Sequence, residues 1–230
     1  MREDHLPNSD ESRVGSDSEP SSTDVVRDVP RITTKTGDDG TTGLLFGGRV
    51  HKDDPVIEAV GALDEAQASI GMARAYGAYG GYGAYGRSSE NIPVDNKDTF
   101  ENSMDSILES IERDLWILMA EVSGFHKGSE KLIPGKTRVT SEMVDFLDKT
   151  GERLSMKLEM PKGFAVPGES IEGSLLDNAR VTVRRAERRI VALSMPGTSY
   201  AGQYLNRLSD LLWIMARLAD GEPRMVRDAK

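Results

Sequence analysis

The sequence predicts an all-α protein, an up-and-down bundle of about five helices, and three observations carry that prediction. Apolar residues recur in a 3-4 rhythm in five separate stretches, the mark of helices with one buried face. Strand-like alternation is nearly absent, confined to residues 31–34 and 164–166. A helix start is spelled out at Asp54-Pro55, where Asp suits the N-cap and Pro the first turn.

Taken in chain order, residues 1–30 are rich in Ser, Asp, Glu and Pro and poor in apolar groups, so they read as a disordered acidic tail. Residues 33–48, "TTKTGDDGTTGLLFGG", are crowded with glycine and hydroxyl. Glycine lets backbone N–H groups approach an anion and Thr adds donors, although composition alone fits a plain surface loop better than a ligand cradle. The first helix follows Asp54, with Val56, Val60, Leu63 and Ile70 near one face. Residues 75–98 form a flexible insert around the imperfect repeat "YGAYGGYGAYG". A second helix is predicted over 99–122, with Met104, Ile107, Ile111, Leu115, Leu118 and Val122 inward. A third spans 140–158 despite Gly151. A fourth, 173–193, carries Leu176, Ala179, Val183, Ala186, Ile190 and Leu193, and a fifth, 200–219, uses Leu205, Leu208, Leu212 and Met215.

The bulk properties narrow the function. The 230 residues suit one domain with a tail. The net charge of −9 sits largely in the tail, where three Arg face eight Asp and Glu. Without a basic excess to displace counterions the chain is a poor nucleic-acid binder. There is no cysteine, which excludes disulfides, thiolate metal sites and Cys nucleophiles and fits a reducing cytoplasm. The three histidines, His5, His51 and His126, are scattered. No apolar run approaches the ~20 residues of a membrane span, and the N-terminus has neither a signal core nor transit-peptide character.

Polar residues on the last two helices are the informative ones. Arg180, Arg184 and Glu187 each follow a core position by one residue, about 100° of helix, and so lie at the margin of the buried seam. Arg180 and Arg184 are neighbours on that margin, while Arg185 and Arg189 are rotated further toward solvent. A salt-bridged exposed helix, a subunit interface and an anion site all fit this pattern. Asn206 and Asp210 lie along one edge of the fifth helix, where a structural hydrogen-bonding role is the simpler reading. The stretch "GSEKLIPGKT", residues 128–137, ends like a phosphate-binding P-loop, but Glu130 stands where the first glycine is required and no strand precedes it.

Four segments in register go beyond pattern: "TKTGDDGTTGLLFGG" running on into "RVHKDDP", then "AVGALDEAQASIG", "ARVTVRRAERRIVAL" and "YLNRLSDLLW". Together they closely resemble the PduO-type ATP:cob(I)alamin adenosyltransferases. The resemblance covers residues 31–225 apart from the insert. It implies a ferritin-like five-helix bundle assembled as a homotrimer with active sites between subunits. The implied reaction moves the 5′-deoxyadenosyl group of ATP to cob(I)alamin and releases triphosphate with Mg²⁺ assisting.

Position by position, the resemblance implies that Thr34, Lys35, Thr36 and Gly37 wrap the triphosphate, that Thr42 and Gly43 continue the contact, and that Lys52 adds an ammonium. Arg184, Arg185, Glu187 and Arg188 belong to the "RRAER" segment that closes on ATP, Arg184 foremost, and Asn206 reaches the nucleotide. Asp64 and Arg180 correspond to an ion pair between subunits. Phe164, in "FAVPG", corresponds to an aromatic at the corrin's lower face, although the sequence alone reads as an ordinary buried Phe. Glu169 departs from the family's usual glycine after "PG". Asp38 and Asp39 either orient the loop or help hold Mg²⁺. The absence of Cys and of a flavin motif implies a separate reductase as electron source, and the resemblance implies a cobalamin-dependent enzyme as acceptor of the product. The rival readings are an ATP phosphohydrolase or kinase on a helical scaffold, and a non-catalytic helical interaction protein.

Overall fold

The computed structural model describes residues 33–77, 103–125, 127–161, 163–221 and 224–226. The acidic tail at 1–30 and residues 78–98 of the Tyr/Gly insert lie outside the described residues. The chain divides into two compact units, residues 1–35 and 36–230.

Among the described residues the second unit holds five helices: α1 (Pro55–Tyr76), α2 (Met104–Gly124), α3 (Ser141–Ser155), α4 (Ile171–Ala192) and α5 (Ala201–Asp220). Packing contacts run α2–α1–α4–α5–α3. Tyr204 closes the arrangement by donating its hydroxyl hydrogen bond from α5 back to Asp114 of α2 at 2.9 Å. Burial around that bond pushes the Asp114 carboxyl up to about 6. Among the described residues no helix is long and apolar enough to cross a membrane.

The 3-4 rhythm is the core. Val56, Leu63 and Ile70 of α1, Ile107, Ile111, Leu115, Leu118 and Val122 of α2, and Leu205, Leu208, Leu212 and Met215 of α5 are all buried. On α4 the same holds for Leu176, Ala179, Val183, Ala186 and Ile190. Small residues are frequent among the buried positions of the two packed helices α1 and α4: Ala59, Ala62, Ala66 and Ala73 on one, Ala179 and Ala186 on the other. Short side chains let two helices approach closely, so larger substitutions there would overpack the interface. Truncating a fully buried residue such as Leu63 to Ala would cost about 2–5 kcal/mol.

Local capping sets the helix starts. Asp54 accepts the Val56 amide at 2.9 Å with Pro55 in the first turn, as the sequence signals. Ser103 caps α2 through the Ser106 amide at 3.1 Å. Ser170 caps α4 through the Gly173 amide at 2.8 Å, two residues earlier than the periodicity places the helix start. One buried carboxylate sets how two helices begin: Glu121 of α2 accepts the Val139 amide at 2.8 Å, just before α3, and the Ser199 hydroxyl at 2.7 Å, just before α5.

The strands differ from the sequence reading. Thr41–Gly43 (β1), inside the glycine-rich segment read as a loop, pairs antiparallel with Arg49–His51 (β2) just after it. Residues 164–166 make only an isolated antiparallel bridge, Ala165 to Met225. Three-residue strands flanked by glycine are too short to show alternation, so periodicity misses them.

Candidate active site

The glycine-rich segment is a hairpin. Thr41 pairs with His51, Thr42 with Val50 and Gly43 with Arg49. The turn closes with the Leu44 amide donating to Gly48 at 3.2 Å and the Gly47 amide to Leu44 at 3.1 Å. Gly47 and Gly48 take φ of 94° and 88°, a left-handed pair that side chains would strain. Phe46 moors the hairpin to the bundle: its ring leaves no room for a Cβ at Gly124 or Gly128 (2.7 Å each), and the Leu45 amide donates to Ser123 Oγ at 3.0 Å.

At the open end, Lys52 donates its amide to Gly40 O at 2.9 Å. A Cβ on Gly37 would stand 3.2 Å from Lys52 Nζ, so the ammonium lies directly over Gly37. Thr36, Gly37, Thr42, Gly43 and Lys52 therefore share one hairpin. Thr34 and Lys35 belong to the first unit, where Lys35 takes a left-handed φ of 59°.

Asp39 Oδ1 accepts the Thr41 hydroxyl at 2.8 Å and the Thr41 amide at 3.0 Å. Those two bonds, with Arg49 nearby, hold its carboxyl below the usual range. Arg49 also donates to Thr41 Oγ1 at 2.9 Å and to the Thr36 carbonyl. Asp39 thus orients the loop, and Arg49, not anticipated from sequence, ties its two arms together. Asp38 is exposed. Among the described residues no three His, Asp or Glu side chains cluster for a metal.

The arginines of α4 separate into two kinds. Arg185 pairs with Glu65 and Arg189 with Glu58 at 3.0 Å, both across to antiparallel α1, where the sequence reading turned them toward solvent. Arg184 and Arg188, one turn apart and exposed, have no ionic partner among the described residues. Glu187 accepts Asn206 Nδ2 at 3.3 Å, and Asn206 Oδ1 accepts Arg207 at 3.0 Å. The structure thereby joins the fourth-helix motif to the fifth-helix Asn. Within one chain Arg180 does not meet Asp64: its Nε donates to Asp177 at 3.0 Å, while Asp64 is exposed.

Phe164 is 87% exposed, which overturns the sequence-only reading of a buried Phe. Its carbonyl accepts the Val226 amide at 2.8 Å, and the Val166 amide donates to Arg224 O at 2.7 Å. Glu169, the departure noted above, faces Arg224 Nε at 3.3 Å. Arg184 lies thirteen residues beyond Ile171, about 20 Å up the helix axis at ~1.5 Å per residue. Arg184 thus stands well along α4, whereas Phe164 lies in the segment before its first turn.

Comparison with known proteins places the chain. A family model described as cobalamin adenosyltransferase matches residues 32–219. The corrinoid adenosyltransferase of Citrobacter freundii is 31% identical over 195 residues, 84% of this chain and 97% of that protein. That of Mycobacterium tuberculosis is 36% identical over 196 residues, 84% and 90% of the two chains. A variant PduO-type ATP:corrinoid adenosyltransferase from Lactobacillus reuteri, solved with cobalamin and ATP, superposes with a TM-score of 0.68 at 23% identity, covering 87% of this chain and 98% of that one, which shows the shared fold. The helical bundle, the hairpin and the fourth-helix arginines are thus those of a chain that belongs to the cobalamin adenosyltransferase family.

Proposed function

We propose that this chain transfers the 5′-deoxyadenosyl group of ATP to cob(I)alamin at a site completed between subunits of a homotrimer. The observation that carries the proposal is the sorting of the arginines. Among the described residues, Arg180, Arg185 and Arg189 are paired within the chain, and Arg184 and Arg188 are left exposed for an anion. The corrinoid adenosyltransferases to which the chain is similar support the reaction itself.

In the reaction the cobalt electron pair attacks C5′, the C5′–O bond breaks, a Co–C bond forms and triphosphate departs. Cob(I)alamin is a strong nucleophile, so the chain needs no general base. It must align cobalt with C5′, exclude water and stabilise the leaving charge. Thr34, Lys35, Thr36, Gly37, Thr42 and Gly43 supply N–H and hydroxyl donors, Lys52 an ammonium, and Arg184 with Arg188 the guanidinium forks. Arg185 and Glu187 shape that edge, with Glu187 holding Asn206 toward the nucleotide. Mg²⁺ would arrive on the triphosphate. Asp64 pairs across the subunit boundary with the terminal nitrogens of Arg180, whose Nε is held by Asp177 within the chain. Phe164 presents its ring to the lower face of the corrin and displaces the axial ligand, which makes cob(II)alamin easier to reduce. The electron comes from a separate reductase in a reducing compartment such as the cytoplasm. The product passes to a cobalamin-dependent enzyme.

The test is incubation with ATP and chemically reduced cobalamin. The spectrum of cob(I)alamin should convert to that of adenosylcobalamin with equimolar triphosphate, and Phe164→Ala should slow the conversion when cob(II)alamin is supplied with a reductase. Phosphate release from ATP without corrinoid would instead favour a hydrolase.

A further inference from the structure

The connection from α4 to α5 is short, so the two helices run antiparallel and the C-terminus of α5 returns to the N-terminus of α4. The segment entering α4 carries Phe164, and the segment leaving α5 meets it at three places. Asp220 Oδ1 accepts both the Ser170 amide at 3.1 Å and the Ser170 hydroxyl at 2.9 Å. Arg224–Val226 bonds to both sides of Ala165, and Arg224 pairs with Glu169.

The tie at Asp220 is built into the core. Its side chain has no solvent exposure, and Arg217, itself 1% exposed, lies 2.9 Å from Asp220 Oδ2 while also pairing with Asp177. The Arg217–Asp220 contact is ionic without hydrogen-bond alignment, for Asp220 Oδ2 lacks a hydrogen-bond partner, as does Arg217 Nε. The carboxylate is thereby oriented with Oδ1 toward Ser170. Gly173 makes the approach possible: a Cβ there would fall 2.0 Å from Asp220 Oδ1. Burying a charged triad has a large desolvation cost, and a purely structural purpose would be served as well by apolar packing. An acceptor aimed at both polar groups of the residue that begins α4 is what apolar packing does not provide.

We propose that Asp220 is a positioning residue for the corrin-facing segment: through Ser170, and with Arg224 as a second tie, it fixes the height and direction at which Phe164 leaves the bundle. The proposal rests on the role assigned to Phe164 above. An exposed ring on a segment of eight residues before α4 would otherwise sample many orientations, and loss of alignment at a reacting centre lowers rate steeply.

Asp220→Ala is the direct test. The expected result is a fall on the order of tenfold in turnover from cob(II)alamin with a rise in the cobalamin KM, the ATP KM staying within about twofold. On a Phe164→Ala background the same substitution should add less than about twofold, because both act through one ring. A full tenfold loss on that background, or an equal rise in the ATP KM, would overturn the proposal. Should Asp220→Ala fail to fold, Arg224→Ala, at a side chain 70% exposed, tests the second tie with the same readouts and a smaller expected loss. A Phe164→Trp reporter, with Trp116 and Trp213 replaced by Phe so that it is the single tryptophan, separates the tie from the corrin role. Its fluorescence anisotropy should drop when Asp220 or Arg224 is replaced, and an unchanged anisotropy refutes the tie. If instead Phe164→Ala retains full activity while the anisotropy drops, the tie stands and the corrin role of Phe164 is what fails.

Discussion

Adjacent arginines on α4 have opposite fates. Arg185 and Arg189 reach across to Glu65 and Glu58 of α1, while Arg184 and Arg188 point off the bundle without ionic partners among the described residues. One residue of rotation, about 100°, separates the two pairs. The difference teaches that an arginine-rich helix is not uniformly an anion site: the rung-forming pair fixes the helix against its neighbour, and the unengaged pair keeps its donors for a ligand. The largest effect should follow from removing one of the unengaged pair. Arg184→Ala should slow adenosylation on the order of 10²–10³-fold, the range for loss of a preorganised donor to developing charge. The melting temperature should stay nearly unchanged, because no partner in the chain is lost. Arg184→Lys should recover little, since an ammonium cannot replace a planar two-pronged donor. Stopped-flow absorbance with reduced cobalamin, beside a thermal melt, measures both. A large drop in melting temperature would break the comparison.

The other end of α4 sharpens it, because there charge is buried rather than displayed. Glu172 is 4% exposed, and burial first, then the neighbouring Asp220, pushes its carboxyl up to about 7. The folded chain therefore keeps a proton on Glu172 up to about pH 7 that the unfolded chain releases near 4.5. Between those values the folded state binds more protons, so this group's contribution to stability falls as pH rises through that window and stays low above it. Glu172→Gln should remove the loss. The variant should be more stable than the parent at pH 8, by about 3 kcal/mol at most and with a higher melting temperature, and the difference should shrink toward pH 4.5. Melts across pH 4.5–8 check this. A difference independent of pH would mean that Glu172 does not titrate in that range.

The helices were legible because periodicity reports directly on burial: the inward residues predicted for α4 from Leu176 to Ile190 are all buried, joined there by Asp177 and Thr182. Asp54 announced α1 because a cap is a local feature. The hairpin was not legible, since its two short strands are specified by Phe46 docking beside Gly124 and Gly128, far along the chain. Nor was the division among the arginines. Which guanidinium meets Glu65 or Glu58 depends on how α1 and α4 align, a tertiary register absent from the spacing within either helix. Arg180 illustrates the converse. Its partner within the chain, Asp177, is three residues away on the same helix, a local pair although the sequence reading joined Arg180 only to Asp64. Phe164 was misread because residue type alone does not distinguish an apolar group held inward from one held outward by backbone pairing.

The smallest effects belong to the rung-forming pair, and they decide whether the division is real. Arg185 and Glu65 are each about half exposed, at 43% and 53%, as are Arg189 and Glu58 at 51% and 53%. Ion pairs so open to water contribute about 0.2–1 kcal/mol and weaken with salt. A double-mutant cycle over Arg185 and Glu65 should give a coupling near 0.5 kcal/mol in urea unfolding, and the Arg189–Glu58 cycle should give no more. Both couplings should fall between low ionic strength and about 0.5 M salt, where the screening length is a few ångströms. Adenosylation by Arg185→Ala should remain within about tenfold of the parent, far above Arg184→Ala. Should Arg185→Ala lose as much activity as Arg184→Ala and show no coupling to Glu65, the rung on α1 would be a resting arrangement that ATP displaces, and the anion site would extend to three arginines.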